Sequence, residues 1–431
     1  MTLTPKGYIP RLVDEKLDTY LKLFGAVSLE GPKWCGKTWT ALSHAESVFY
    51  VMDPARGYQN RKRAELDPAL ILEGDTPRVL DEWQEVPGIW DAVRYSVDQR
   101  HERGRYILTG SVTPPKKKYR HSGAGRIARL EMRSMSLTES KESSHDISLC
   151  ALLSGEGFDP CVADIRLRQL ARIIARGGWP EMLLVPSEDY QLVSRQYLKA
   201  ISENDLFDEN TPQRNPEKLN RLLQALGRNN ATLVNDATLL SDFVGANGSS
   251  SEEATALSRV TMSDYLSDLR RIFVIEEIPA WSPNIRSRTR IRQAPKRMFT
   301  DPSLACAALG ANSDYLIQDL NTLGFMFENL CLRDLAIYAR QCEASVFHYR
   351  DNADLEIDAI VEMPDGSWGA FEIKLGEQQV DEAAGALKRF QKKMIEAHVA
   401  PPLCLVVITG GGTAYQRDDG IAVIPITALG P

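Results

Sequence analysis

Gly31-Pro32-Lys33-Trp34-Cys35-Gly36-Lys37-Thr38 fits the pattern G-x-x-x-x-G-K-[ST] at every fixed position. The apolar run Ala26-Val27-Ser28-Leu29 before it predicts a buried strand, and Trp39-Thr40-Ala41-Leu42 after it predicts a helix. A strand, a glycine-bearing turn and a helix in that order form a phosphate-binding loop. Gly31 and Gly36 let the backbone curl so that N–H groups point inward at an anion, and the helix adds its positive N-terminal end. In that geometry Lys37 reaches the β- and γ-phosphates. The Thr38 hydroxyl is then placed for Mg²⁺, a hard ion that takes oxygen ligands.

Three more apolar runs extend the sheet. Arg78-Val79-Leu80-Asp81-Glu82 predicts a strand that delivers Asp81 to its carboxyl end, where open α/β sheets bind ligands. Asp81 is the expected Mg²⁺ partner and Glu82 the group that polarises an attacking water. Arg105 to Ser111 predicts a strand ending in small hydroxyl residues, where Thr109 is placed to sense a terminal phosphate, and Val48 to Met52 predicts another. Leu12 to Phe24, after the lead-in Tyr8-Ile9-Pro10-Arg11, and Trp90 to Arg100 read as helices. Alternating strands and helices imply a doubly wound, mostly parallel sheet.

Composition bounds the rest. A chain of 431 residues holds about two or three domains, and 43% hydrophobic with 25% charged residues is ordinary globular material. The net charge of -7 provides no global field for nucleic acid, so any such contact must be local. Seven scattered cysteines without a C-x-x-C pair argue for a reducing cytoplasm and against a zinc site or a disulfide frame. No stretch approaches roughly eighteen uninterrupted apolar residues and the N-terminus lacks a basic, apolar leader, so a soluble cytoplasmic protein without membrane contact is expected.

Lys116-Lys117-Lys118-Tyr119-Arg120, within a stretch running from Pro114 through Gly123 and Gly125 to Arg126 and Arg129, is basic with an interleaved aromatic. It is expected to be a mobile loop. Its readings are a nucleic-acid contact, an arginine acting across a subunit boundary (Arg126 or Arg129), or a solvated charge run.

Gly31 to Thr38, Leu80-Asp81-Glu82, Ile107 to Ser111, Gly125 to Arg129 and Met135 to Ser140 together resemble a large prokaryotic family of AAA-type ATPases that carry a C-terminal domain of unknown function. Arg176 to Glu181 and Pro295 to Phe299 followed by Asp301 extend the resemblance over nearly the whole chain. The resemblance implies ATP and ADP as ligands, with Gly31, Pro32, Lys33, Trp34, Cys35, Gly36, Lys37, Thr38 and Thr40 in the ATP site, Thr38 and Asp81 on Mg²⁺, and Glu82, Thr109, Arg126 and Arg129 in catalysis. A homo-oligomer is compatible with it.

The middle of the chain is mainly helical. Asn215 to Gly227, Leu233 to Val244 and Val260 to Phe273 have helical apolar spacing, and Val274 to Ile278 reads as a strand. Three helices and a strand suggest a winged helix, with Asn284 to Arg292 as wing. There Arg286, Arg288, Arg290 and Arg292 fall on every second residue, which on a strand puts them on one face. That face reads either as a DNA contact or as a solvated edge that blunts aggregation. Asn247 to Ser251 is expected to be a surface loop.

The last region changes character. A helix from Gly324 to Gln341 carries Glu328, and strands are predicted at Ser345 to Tyr349, Leu355 to Val361, Trp368 to Lys374 and Leu403 to Ile408. Charges inside apolar strands demand partners or a metal. Glu372 and Lys374 share a strand face, and the hairpin brings Asp358 beside them. This resembles the D…E-x-K constellation of the restriction-endonuclease-like fold, which implies Asp358, Glu372 and Glu328 as Mg²⁺ ligands and Lys374 as the group that orients water. The alternative is a salt-bridged structural hairpin.

The expectation is therefore an α/β chain in three parts: a P-loop NTPase (AAA-like) parallel sheet over 1–150, a helical winged-helix-like domain over 151–312 and a restriction-endonuclease-like α/β domain over 313–431. The leading function is Mg²⁺-dependent ATP hydrolysis linked to a conformational change, acting on nucleic acid. The alternatives are a nucleotide-gated DNA-binding or sensor protein with negligible turnover, and a metal-dependent nuclease.

Overall fold

The computed structural model describes residues 3–112, 121–163, 165–185, 189–205, 215–245, 259–284, 286–288, 290 and 293–431. The basic run Lys116 to Arg120, the loop Asn247 to Ser251 and, within the wing segment, Ile285, Thr289, Ile291 and Arg292 lie outside the described residues. The chain divides into two compact units, 1–135 with 269–273, and 136–268 with 274–431.

The first unit contains α1 (Val13–Leu23), β1 (Ala26–Glu30), α2 (Lys37–Ser43), β2 (Ser47–Tyr50), α3 (Ala55–Leu66), β3 (Arg78–Asp81), α4 (Gly88–Arg100), β4 (Tyr106–Gly110) and β5 (Ile127–Glu131). Its five strands run in the order β2-β3-β4-β1-β5, and every neighbouring pair is parallel. β1 and β4 are buried at every position, as expected of strands covered on both faces. One face of α4, made by Ile89, Trp90, Val93 and Val97, joins Leu80, Trp83, Tyr106 and Leu108 in a core cluster. The register sets Asp81 and Leu29 on either side of Thr109, so the ends of β1, β3 and β4 deliver their polar residues together. One expectation is corrected here: Arg129 is not in a loop. Ile127–Glu131 pairs with β1 along its whole length, because Ile127, Ala128 and Leu130 are apolar enough to close that edge of the sheet.

The second unit carries a seven-stranded mixed sheet. Its members are β7 (Cys161–Ala163), β10 (Ser345–Arg350), β11 (Glu356–Glu362), β12 (Trp368–Lys374), β13 (Leu405–Thr409), β14 (Gly412–Gln416) and β15 (Ala422–Pro425), in the order β10-β11-β12-β13-β15-β14-β7. Trp281, Tyr349, Trp368 and Phe390 form an aromatic core beside it, with Tyr349 and Phe390 ring centroids 4.6 Å apart. A separate ladder joins β6 (Ile147–Ser148) to β16 (Leu429–Gly430). Because β6 and β7 are knitted to the C-terminal strands, 136–163 sits in this unit, whereas a boundary at residue 150 was expected.

Helices form at Pro216–Arg228, Asp236–Gly245 and Arg259–Arg271, followed by an antiparallel ladder of β8 (Ile275–Ile278) and β9 (Lys296–Phe299). The arginine wing is a second correction. Among the described residues of 284–290 there is no strand. Arg286 and Arg288 are exposed, whereas Arg290 grips Glu362 with two nitrogens at 2.6 and 3.0 Å and lies 5.2 Å over the Phe347 ring. A carboxylate and an aromatic face hold that guanidinium better than a solvated strand edge does.

The short motifs Met135 to Ser140, Arg176 to Glu181 and Asp301 acquire a structural role. Buried Arg333 bonds Asp301 at 2.9 Å and Asp334 at 2.8 Å. Asp301 accepts from the Gly178 N–H at 3.0 Å and Asp334 from the Leu137 N–H at 2.9 Å. Removing one member would leave a buried charge uncompensated, a cost of about 3–5 kcal/mol. Among the described residues no helix is long and apolar enough to cross a membrane.

Candidate nucleotide site

The phosphate loop is shaped by two glycines. A Cβ on Gly31 would stand 2.1 Å from the Met132 carbonyl oxygen, so only glycine lets the loop pass that strand end. Gly36 has φ 101°, a left-handed conformation that turns the chain into α2 at Lys37. Lys37 is buried, and its ammonium donates to the carbonyls of Gly31 at 3.0 Å and Pro32 at 2.7 Å, across the loop's mouth.

Three chain segments converge beside it. The hydroxyls of Thr38 and Thr109 both donate to Asp81 Oδ1, at 2.8 and 2.7 Å. Thr109 also accepts the Glu82 N–H at 3.2 Å. Glu82 itself leaves the strand in a left-handed conformation, φ 57° and ψ 44°. The Gln84 amide donates to that carboxylate, and the Ser111 hydroxyl lies 3.4 Å from it. Burial raises the Glu82 pKa, against the opposing pull of Gln84 and Lys37, so the carboxylate is a better proton acceptor than an exposed glutamate. A cleft of about 420 Å³ lined by Tyr50, Met52, Asp53, Pro54 and Asp81 opens next to the pair.

The remaining residues expected in the site are placed as follows. Thr40 is buried on α2, its hydroxyl 3.1 Å from the Tyr8 hydroxyl. Cys35 is buried with its thiol 3.9 Å from the Met132 carbonyl. Arg129 bonds both Glu30 oxygens, at 2.9 and 3.2 Å, and stacks 4.8 Å over Trp90. Arg126 is exposed and pairs with Asp98 at 2.7 Å. Arg11, which bonds the Cys35 carbonyl at 2.7 Å, and Asp14 and His44, which lie 3.2 Å apart, had no role in the sequence reading.

In the second unit the D…E-x-K residues do come together. Lys374 bridges Glu372 at 2.7 Å and Asp358 at 3.2 Å, and Asp358 accepts the Ile373 N–H at 2.8 Å. Sequence reasoning missed a further occupant. Lys296, on β9 and 1% exposed, points its ammonium into the same cluster, 2.6 Å from Glu328 and 3.6 Å from both Asp358 and Glu356. Among the described residues no group of three or more His, Cys, Asp and Glu side chains is arranged to hold a metal ion. Burial, then the neighbouring Asp358 charge, pushes Glu372 up to about 8. Burial likewise pushes Glu328 up to about 7 against the pull of Lys296, while the two ammoniums hold Asp358 below the usual carboxylate range despite its burial.

Comparison with known proteins follows this division. Residues 24–141 match the family model described as an AAA domain, residues 167–315 a domain of unknown function (DUF8612), and residues 323–429 another domain of unknown function (DUF4143). Uncharacterised proteins of Mycobacterium bovis and Mycobacterium tuberculosis are each 25% identical over 432 residues, covering 98% of this chain and 86% of theirs. Among solved structures, the Walker-type ATPase PABY2304 of Pyrococcus abyssi is similar at 14% identity and a TM-score of 0.43, over 71% of this chain and 97% of that one. The Thermotoga maritima RuvB Holliday junction branch migration motor follows at 18% identity and a TM-score of 0.29, over 72% of this chain and 99% of that one. The N-terminal unit is an α/β domain with a parallel sheet, similar over residues 24–141 to an AAA domain.

Proposed function

We propose that this chain binds ATP at the N-terminal loop and hydrolyses it with Mg²⁺, linking turnover to a conformational change that acts on nucleic acid. The observation that carries the reading is the convergence of Thr38 and Thr109 on a single oxygen of Asp81 at the mouth of the phosphate loop. That donor set, one carboxylate and two hydroxyls, is all hard oxygen and suits Mg²⁺, with Thr38 and Asp81 as the holding residues. The ion would supply charge neutralisation between the β- and γ-phosphates.

The chain's own groups then divide the work. Backbone N–H groups of the loop bind the phosphates, and Lys37 exchanges its carbonyl partners for phosphate oxygens. Glu82, with its raised proton affinity and its Gln84 anchor, holds the attacking water and takes its proton. Thr109 fixes the Glu82 backbone through the hydrogen bond to its N–H. Nucleic acid as the target is supported by the exposed Arg286 and Arg288, which are free to meet phosphates. Phosphate release with and without single- and double-stranded DNA tests both parts. ATP-dependent release that vanishes in Glu82→Gln and rises with DNA is the expected result. Binding without release would leave a nucleotide-gated sensor.

A further inference from the structure

The lead-in Tyr8-Ile9-Pro10-Arg11 ends in a cation that the proposed mechanism does not use. Arg11 is buried, and a buried guanidinium is costly unless its donors are satisfied. Its two terminal nitrogens go to main-chain carbonyls: one to Cys35 at 2.7 Å, inside the phosphate loop, the other to Arg133 at 2.9 Å, just past β5.

The Cys35 contact has a stereochemical consequence. In a trans peptide the C=O and the following N–H point in opposite directions. A Cys35 carbonyl drawn toward Arg11 therefore turns the Gly36 N–H to the side opposite Arg11. The same rotation removes a carbonyl oxygen that would repel phosphate. Gly36, left-handed at φ 101°, followed by helical Lys37, completes an anion-binding curl of successive N–H groups. Arg11 is itself held. Its N–H donates to Asp14 at 2.8 Å, Asp14 accepts the Tyr8 hydroxyl at 2.7 Å, and that hydroxyl lies 3.1 Å from Thr40 on α2. The strap 8–14 is thereby fastened to both the loop and the helix that follows it.

We infer that Arg11 is a positioning residue for nucleotide binding: it sets the Cys35–Gly36 peptide plane so that the Gly36 N–H faces the phosphates. This rests on the nucleotide reading of the loop. The test is binding of ADP and ATP, with steady-state turnover, for the full chain and for Arg11→Ala, Arg11→Lys, Tyr8→Phe and Lys37→Ala. In Arg11→Ala nucleotide affinity falls about 10- to 100-fold, the loss expected for a charge-assisted hydrogen bond. KM rises with it, and kcat at saturating ATP stays within about threefold because Asp81 and Glu82 are untouched. Arg11→Lys, able to reach one carbonyl, recovers part of the affinity. Added guanidinium ion rescues Arg11→Ala but not Lys37→Ala. Tyr8→Phe, which loosens only the strap, gives a smaller loss. If Arg11→Ala does not fold, Arg11→Lys and Tyr8→Phe carry the test, and wild-type affinity in both overturns the inference. A folded Arg11→Ala that melts early yet binds nucleotide as wild type does also overturns it, since Arg11 would then only support the fold. If the wild type binds nucleotide no better than Lys37→Ala, the nucleotide reading itself falls, and this inference falls with it.

Discussion

A cluster of lysine and carboxylates in each unit solves the same electrostatic problem, the one in the opposite way to the other. In the first unit Lys37 rests on neutral carbonyls of its own loop, while Asp81 and Glu82 are held by hydroxyl and amide groups. In the second, Lys296 and Lys374 meet Glu328, Asp358 and Glu372 directly. A cation on carbonyls gains by exchanging them for phosphate, whereas a cation already paired in a buried site has little to gain from any ligand. On the proposed function, the first cluster responds to a nucleotide. The second is built to close on itself.

The comparison breaks first at Lys37 and Glu82. Lys37→Ala should weaken ATP binding by about 100-fold, measured by calorimetry, because it removes charge-assisted bonds to the bound phosphates. Glu82→Gln should keep affinity within about threefold and lower turnover by about 10²- to 10⁴-fold, the usual worth of a positioned base. Equal ATP binding by Lys37→Ala would sink the distinction between the clusters.

In the second unit the expected effect is on stability. Lys296→Met leaves Glu328 without its buried cation and Asp358 with Lys374 alone, which should cost about 3–5 kcal/mol in urea unfolding. Adding Glu328→Leu should recover part of that loss, as a double-mutant cycle would show. Mn²⁺ titration should be silent in the wild type and in Asp358→Ala with Glu372→Ala, since the ammoniums already occupy the cluster. A binding isotherm lost in the double variant would reopen the nuclease reading.

A smaller effect is the pH dependence of that unit. Glu372 is pushed up to about 8 and Glu328 to about 7, first by burial. Raised carboxyl groups favour the folded state while they hold their protons. Their contribution is fully present below the ordinary carboxylate range and is lost as pH rises through the folded values. Melting temperature should therefore fall between about pH 5 and pH 8, and Glu372→Gln should flatten the profile. Asp358, shifted downward, acts with the opposite sign only in acid. A wild-type melting curve independent of pH over that interval would refute the assignment.

How much was legible in the sequence follows from how local each signal is. The phosphate loop and Asp81 sit at the ends of continuous apolar runs, so spacing alone placed them, and Asp358, Glu372 and Lys374 were placed by the two-residue period of one hairpin. Lys296 comes from a strand about sixty residues upstream of Asp358 and reaches the cluster only through tertiary packing, which no periodicity reports. Arg290 shows the reverse failure. Its alternation with Arg286 and Arg288 suggested a strand, but pairing with Glu362, 72 residues away, decided its conformation. Arg11 was invisible because its partners are backbone carbonyls, which have no sequence signature.

The smallest effects are expected at the two arginines considered for action across a subunit boundary, and they differ from each other. Arg129→Gln removes the partner of buried Glu30, whose proton affinity burial already raises, so it should cost about 1–3 kcal/mol of stability in the first unit. Exposed Arg126 pairs with half-buried Asp98, and Arg126→Gln should leave melting nearly unchanged, because solvent screens such a pair. That makes Arg126 the cleaner probe of assembly: any loss of turnover in a variant that melts normally must come from chemistry or from a second chain. With both arginines engaged within their own chain, turnover per chain should stay flat over a wide range of protein concentration and be equal in Arg126→Gln. Turnover that climbs with concentration in the wild type and not in Arg126→Gln would show that Arg126 leaves Asp98 to complete a neighbour's site.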